Sequence, residues 1–181
     1  MIHELNLPLQ SEDVERLQAG DVVKLTGTLY TGRDQAHKRM IQLLEEGKDL
    51  PFDLAEQTIY YVGPCPAKPG DPIGSCGPTT SYRMDRFTPQ LLDRGLRGMI
   101  GKGKRSPEVI DSMIQNGAVY FSATGGAAAL IAKTVQSCEV IAFEDLLSEA
   151  IYKIEVKGFP AVVAIDARGN SLYERRFSFW K

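Results

Sequence analysis

The chain has 181 residues, 43% hydrophobic and 24% charged, with a formal net charge of −2 from 21 Lys+Arg against 23 Asp+Glu. That is the make-up of an ordinary globular domain of one core, and it lacks the basic excess of a nucleic-acid binder. No apolar run reaches the roughly 20 residues that span a bilayer, and Met1-Ile2-His3-Glu4-Leu5 has no signal-peptide pattern, so a cytoplasmic protein is expected.

In chain order, alternating Leu5, Leu7 and Leu9 predict a first strand, and Ser11-Glu12-Asp13-Val14 a short helical turn ending at Gly20. Val22 to Tyr30 is rich in β-branched residues and reads as a strand, broken by Thr31-Gly32-Arg33-Asp34. A helix follows from Asp34, with Met40, Ile41, Leu43 and Leu44 as its apolar face, His37 on its polar part and Gly47 as its stop. Thr58 to Val62 is a strand. Gly63 to Thr80, with five prolines and four glycines, is too long and too broken for a plain connector. Two short helical pieces follow, the second capped by Thr88.

Gly98-Met99-Ile100 reads as a strand, and Ser106-Pro107-Glu108 opens a helix with a cap and a proline at its first position. Ala118 to Ala123 reads as a strand, Gly126 to Gln136 as a helix and Glu139 to Phe143 as a strand. A helix is predicted from Glu144 to about Val156, then a buried strand over Pro160 to Asp166. Arg168-Gly169-Asn170 turns the chain into a hairpin partner at Ser171-Leu172-Tyr173. Alternation of strand and helix from Val22 onward predicts an α/β fold with a partly parallel sheet, in one domain over 1–181.

Three loops share one design: each follows a predicted strand, precedes a predicted helix, and sets cationic or hydroxyl side chains beside glycine. They are Thr31-Gly32-Arg33-Asp34, Gly77-Pro78-Thr79-Thr80-Ser81-Tyr82-Arg83 and Gly101-Lys102-Gly103-Lys104-Arg105-Ser106; Thr124-Gly125-Gly126 is an uncharged fourth. Loops entering helices offer free N–H groups and the positive dipole end, arginine holds carboxylates with a planar fork, and lysine adds a point charge. Together they predict a site for a small anion. Blander readings coexist: Arg33 as an exposed neighbour of the Asp34 cap, Thr79 and Thr80 as caps or turn formers, and Lys104 and Arg105 as a solvated basic turn. Asp85 is placed either to orient Arg83 or to meet a ligand.

Cys65, Cys76 and Cys138 are too scattered for a disulfide framework, and Cys65 and Cys76 are separated by ten residues. Three thiolates suffice in principle for a cubane cluster, but these read as small buried or loop residues, and His3 and His37 share no ligand spacing with them. No metal site is predicted on this chain. Nucleotide-binding glycine fingerprints and a Ser/His/Asp set are likewise missing. The chain is equipped to bind an anion and poorly supplied to activate one.

Around Gly77-Pro78-Thr79-Thr80-Ser81-Tyr82-Arg83-Met84-Asp85 the sequence resembles the C-terminal domain, or β subunit, of class I fumarases and L-tartrate dehydratases. The likeness extends through Thr31-Gly32-Arg33-Asp34-x-Ala36-His37, Tyr61-Val62-Gly63-Pro64, Gly101-Lys102-Gly103, Thr124-Gly125-Gly126-Ala127-Ala128 and Glu155-Val156-x-Gly158-Phe159-Pro160-Ala161. The resemblance implies a swivelling β/β/α-type single domain with a mixed sheet. It implies Arg33, Thr80, Arg83 and Lys102 as residues that bind a dicarboxylate, and Thr79 in proton transfer, a role for which a threonine needs strong help from its surroundings.

It further implies a [4Fe–4S] cluster carried by a partner α subunit, whose open iron is a Lewis acid, in an α–β heterodimer or heterotetramer. Because the chain begins at the β part, the α part is expected on a separate polypeptide. The activity implied is fumarate hydration (malate to fumarate plus water), with L-tartrate dehydration the nearest alternative and a non-catalytic organic-acid-binding module the alternative from another class. An RNA-contacting role for Lys102, Lys104 and Arg105 is disfavoured by the acidic net charge and the missing stacked aromatics. Tyr82 stands where these families often carry a small residue, which implies a reshaped pocket or subunit contact.

Overall fold

A computed structural model of the protein describes residues 2–123 and 127–174. Its elements are β1 (Ile2–Asn6), α1 (Ser11–Arg16), β2 (Val22–Thr31), α2 (Asp34–Glu45), β3 (Thr58–Tyr60), a 3₁₀ helix (Ser81–Met84) and α3 (Thr88–Asp93). They continue with β4 (Gly98–Gly101), α4 (Pro107–Asn116), β5 (Val119–Ser122), α5 (Ala128–Thr134), β6 (Val135–Ala142), a second 3₁₀ helix (Glu144–Glu149) and β7 (Ile151–Ile165).

The seven strands form one mixed sheet in the order β1-β2-β3-β4-β5-β7-β6. β2, β3, β4 and β5 run parallel, as the alternation with helices predicts. The long β7 then pairs antiparallel with both β5 and β2, closing those five strands into a small barrel-like ring. β1 lies parallel on β2, and β6 antiparallel on β7. The expected α/β fold with a mixed sheet is what forms.

Strand periodicity divides the core in two. Tyr60, Val62, Ile100, Val119 and Phe121 join Leu25, Leu29, Phe159 and Val163 in a cluster drawn from every strand of the ring. The alternate residues Ile59, Tyr61, Met99 and Tyr120 face the other way, against Met40 and Ile41 of α2, Leu91 and Leu92 of α3, and Val109 and Met113 of α4. In α4, the Ser106 hydroxyl accepts from Val109 N at 3.3 Å, Pro107 takes the first position, and Gly117 ends the helix at φ 64°.

Several boundaries differ from the sequence reading. The helix expected from Glu144 to Val156 is only the 3₁₀ segment Glu144–Glu149, and β7 begins at Ile151. There the β-branched Ile151, Ile154 and Val156 are buried between β2 and β6, so pairing overrides any local helical tendency. β6 starts at Val135, which shortens the expected helix over 126–136. The first strand is Ile2–Asn6 and not the leucine run reaching Leu9. The hairpin partner of Pro160 to Asp166 reduces to one bridge between Ile165 and Ser171. Among the described residues no helix is long and apolar enough to cross a membrane.

At the irregular step between β2 and β7, Gly27 has φ 131°, and a Cβ built there would lie 2.8 Å from the Leu7 carbonyl oxygen. Gly27→Ala is expected to cost about 1–3 kcal/mol, seen as a lower urea midpoint with an unchanged m-value.

Candidate functional site

The parallel strands β2, β3 and β4 end level with one another: Thr31 pairs with Tyr60, and Tyr60 with Ile100. The segments leaving their carboxyl ends therefore share one rim, the usual place for ligands in an α/β sheet. Arg33 leaves β2, the loop from Gly63 leaves β3, and Lys102 leaves β4. The loop returns to this edge near its end. Thr79 N donates to Tyr61 O at 2.7 Å, Thr80 bridges Lys102 in parallel register, and Ser81 N donates to Lys102 O at 2.9 Å. Thr79, Thr80, Arg83 and Lys102 are thus brought together by main-chain bonds, with Arg33 alongside. Thr124-Gly125-Gly126, which follows β5, lies outside the described residues.

The polar groups at this rim are largely unspent. Among the described residues, neither the Arg33 guanidinium nor the Lys102 ammonium makes a side-chain hydrogen bond or ion pair, and the Arg33 Nε is buried without a partner. Arg33 is half-buried and not simply an exposed neighbour of the cap. The hydroxyls of Thr79 and Thr80 cap nothing, so the capping alternative falls for both. Arg83 is exposed on the 3₁₀ helix, donates through Nε (3.0 Å) to Oδ2 of Asp34 at the start of α2, and brings Nη2 within 2.9 Å of the same oxygen in an ion pair. Tyr82 beside it is 65% exposed.

Asp85 does not orient Arg83. Its Oδ1 accepts from Arg105 Nε at 2.7 Å and its Oδ2 from Ser106 N at 2.7 Å. The solvated reading of Arg105 is overturned. Its side chain is fully buried, Nη2 donates to Tyr61 OH (3.2 Å) and Thr88 Oγ1 (3.0 Å), and the guanidinium carbon lies 5.2 Å and 4.9 Å from the ring centres of Tyr61 and Tyr120. Burial opposes its charge, but Tyr61 and Asp85 more than offset this, and the Arg105 pKa rises. Tyr120 OH donates to Gly103 O at 2.8 Å and accepts from Ser81 Oγ at 2.8 Å, so one phenol pins both rim loops. The signal for this network was in the strands: Tyr61 and Tyr120 stand among apolar residues, and a buried phenol needs a polar partner.

His37 is buried, contrary to its expected solvated place. Its main-chain N–H (3.0 Å) and its ring Nδ1 (2.8 Å) both reach Arg33 O, which assigns the Nδ1–H tautomer, while Nε2 is buried without a partner. Its ring stands edge-on to Tyr61, 5.4 Å between centres. Desolvation is the main cause that lowers its pKa to about 4.

The cysteines are all free: Cys65 exposed, Cys76 buried and Cys138 half-buried. Burial pushes the Cys76 thiol up to about 11, the wrong direction for a thiolate ligand, with Cys138 and Cys65 adding to it. Among the described residues no group of three or more His, Cys, Asp or Glu is placed to hold a metal ion. These residues do not fit an iron–sulfur cluster.

The fold is a closed mixed α/β barrel with cations and hydroxyls on the carboxyl rim of its parallel strands. The chain belongs to the Fumarase C-terminus family, whose model matches residues 2–176. It is 40% identical over 172 residues to a Methanocaldococcus jannaschii protein provisionally named L(+)-tartrate dehydratase subunit beta, covering 92% of this chain and 88% of that protein. It is 37% identical over 176 residues to the anaerobic class I fumarate hydratase of Escherichia coli, covering 95% of this chain and 32% of the enzyme. It is 40% identical over 155 residues to the mitochondrial fumarate hydratase 1 of Leishmania major, covering 84% of this chain and 28% of the enzyme. The chain thus spans most of the subunit it resembles and about a third of each fumarate hydratase.

Removing one partner of the buried Arg105–Asp85 pair leaves a charge stranded in the core, so Asp85→Ala is expected to cost about 3–5 kcal/mol in urea unfolding. His37 gives a pH signature. Its folded pKa lies below the 6.5 of an ordinary histidine, so below pH 6.5 the unfolded chain binds the proton first and stability is lost as pH falls toward 4. The loss unique to the wild type, relative to His37→Asn, is expected to reach about 3 kcal/mol at pH 4; parallel stability–pH curves for the two proteins would show a solvated imidazole instead.

Proposed function

We propose that this chain is the β subunit of a two-subunit iron–sulfur hydro-lyase, supplying the dicarboxylate-binding side of a site whose [4Fe–4S] cluster is carried by an α subunit. The observation that carries this reading is the pair of uncompensated cations, Arg33 and Lys102, on one rim with the free hydroxyls of Thr79 and Thr80. An unpaired half-buried guanidinium is costly to keep unless a ligand anion meets it.

In this reading Arg33 and Lys102 hold carboxylate oxygens, Thr80 adds a hydroxyl donor, and Arg83 joins them by turning from Asp34. Thr79 is assigned to proton transfer. Its main chain is fixed by the bond to Tyr61 O, so its hydroxyl is presented from a set backbone position. The groups that make its proton mobile, and the cluster, belong to the partner.

Fumarate hydration is the first reaction to test, since named fumarate hydratases recur among the relatives. L-tartrate dehydration is the second reading, favoured by the end-to-end match to a protein named as a β subunit. That match also supports the two-subunit arrangement.

The decisive assay is anaerobic turnover of fumarate and of L-tartrate by the chain alone and after co-expression with a cluster-bearing α subunit. Activity only in the assembly is expected, with the better substrate choosing between the two reactions. An inactive assembly with an intact cluster would replace this reading with that of an organic-acid-binding module. Arg33→Ala in the active assembly is expected to lower kcat/KM by about 10- to 100-fold with the fold intact.

A further inference from the structure

Gly63 stands at the exit of β3, in the lead-in Tyr61-Val62-Gly63-Pro64, and its missing side chain has a spatial cause. A Cβ built on it would lie 2.6 Å from Arg33 Nη1, 3.0 Å from Arg33 Cδ and 3.2 Å from the Ser148 carbonyl oxygen. Its φ is not positive, so an L side chain is compatible with the backbone. What a side chain would meet is the arginine. The Ser148 carbonyl closes the other side, on a 3₁₀ segment tied to α2 by the Arg39–Asp145 ion pair.

At its other end Arg33 is fixed through its main chain, where its carbonyl oxygen accepts from both the N–H and the ring Nδ1 of His37. Between these two anchors the guanidinium makes no side-chain hydrogen bond among the described residues. Its direction is therefore set by the shape of the space it occupies and by its pinned backbone.

We propose that Gly63 is a positioning residue: the side-chain-free face of its backbone is the seat on which the Arg33 guanidinium lies, and this seat aims the guanidinium at the rim. The catalytic consequence rests on the functional reading above; the placement of Arg33 does not. A methyl group at position 63 displaces the guanidinium, so Gly63 influences carboxylate binding without touching the ligand. The effect falls on KM more than on kcat, because a carboxylate remote from the bond broken is held alike in substrate and transition state.

The test is a double-mutant cycle of Gly63→Ala and Arg33→Ala, read twice. In the assembled enzyme, Gly63→Ala is expected to raise KM roughly tenfold or more, yet to change kcat/KM by less than about twofold when Arg33 is already alanine. In the isolated ¹⁵N-labelled chain, Gly63→Ala is expected to move the Arg33 Nε–H resonance, which Arg33→Ala identifies by its disappearance, while the rest of the spectrum stays in place.

An equal kinetic loss in both backgrounds, a normal KM, or an unmoved Arg33 resonance each overturns the proposal. If Gly63→Ala fails to fold, the added Arg33→Ala must restore folding, since it removes the obstructing group; failure to restore it also overturns the proposal. An assembly whose wild type turns over neither substrate defeats the functional reading alone, and the resonance then decides the role of Gly63.

Discussion

The buried Arg105–Asp85 ion pair is the constraint on which the rest of the site depends. Taking a guanidinium and a carboxylate out of water costs several kcal/mol per ion, and the cost is recovered only when every donor and acceptor is met with good geometry. Here Asp85 spends one oxygen on Arg105 and the other on the N–H of Ser106, while Arg105 reaches Tyr61, Thr88 and the faces of two tyrosines. The groups of this network come from the residue after β3, from β5, from the turn after the first 3₁₀ helix, from the start of α3 and from the entry to α4. No partner can shift without stranding a charge. Two glycine-rich loops that would otherwise be soft are thereby locked at fixed separation.

That rigidity has an electrostatic use. The chain as a whole is slightly acidic, yet the rim carries Arg33 and Lys102 unpaired, with Arg83 held at the edge by Asp34. Like charges repel one another, and Arg33 is half-buried, so these side chains share a rim only where other forces fix their backbones. Hydrogen bonds to main-chain carbonyls do this: Ser81 N to Lys102 O, Thr79 N to Tyr61 O, and both the His37 N–H and its ring Nδ1–H to Arg33 O. The cost of assembling the cations is met in folding, and the dianion of the proposed function would find donors already aligned.

Much of this was legible in the residues and some of it was not. Strands and helices from Val22 to Val119 follow their sequence pattern, because β3 and β4 are buried throughout, β2 alternates buried with exposed residues over its first half, and α2, α3 and α4 each pack an apolar face against the sheet. The loop residues Arg33, Thr79, Thr80, Arg83 and Lys102 stood out because glycine beside a cation at a strand exit has few structural uses. The segment after Glu144 was misread, since its strand identity comes from pairing with β2 and β6 on distant parts of the chain. Arg105 and His37 were misplaced for a related reason. A charge run or a polar helix face is solvated unless the fold brings partners over it, and those partners, Tyr61, Tyr120 and Asp85, lie 15 to 44 residues away in the chain for Arg105. In the sequence Gly63 is legible only as part of a motif, because the space it leaves belongs to Arg33 thirty residues earlier in the chain.

The same geometry argues for a division of labour. His37 is neutral throughout the physiological range, and burial pushes the Tyr60 and Tyr120 phenols above their ordinary values, so none of these three is poised to exchange a proton near neutrality. What the rim does present is fixed positive charge, hydroxyls and backbone donors, which hold an anion in place and leave its bonds as they are. In the proposed assembly such a surface would gain catalytic value when a partner closes over the bound anion and supplies the groups that make the Thr79 proton mobile. In the proposed assembly the rigidity enforced by Arg105 and Asp85 would let this chain place the ligand carboxylates, and the geometry of the reacting centre would be set by how the partner docks against it.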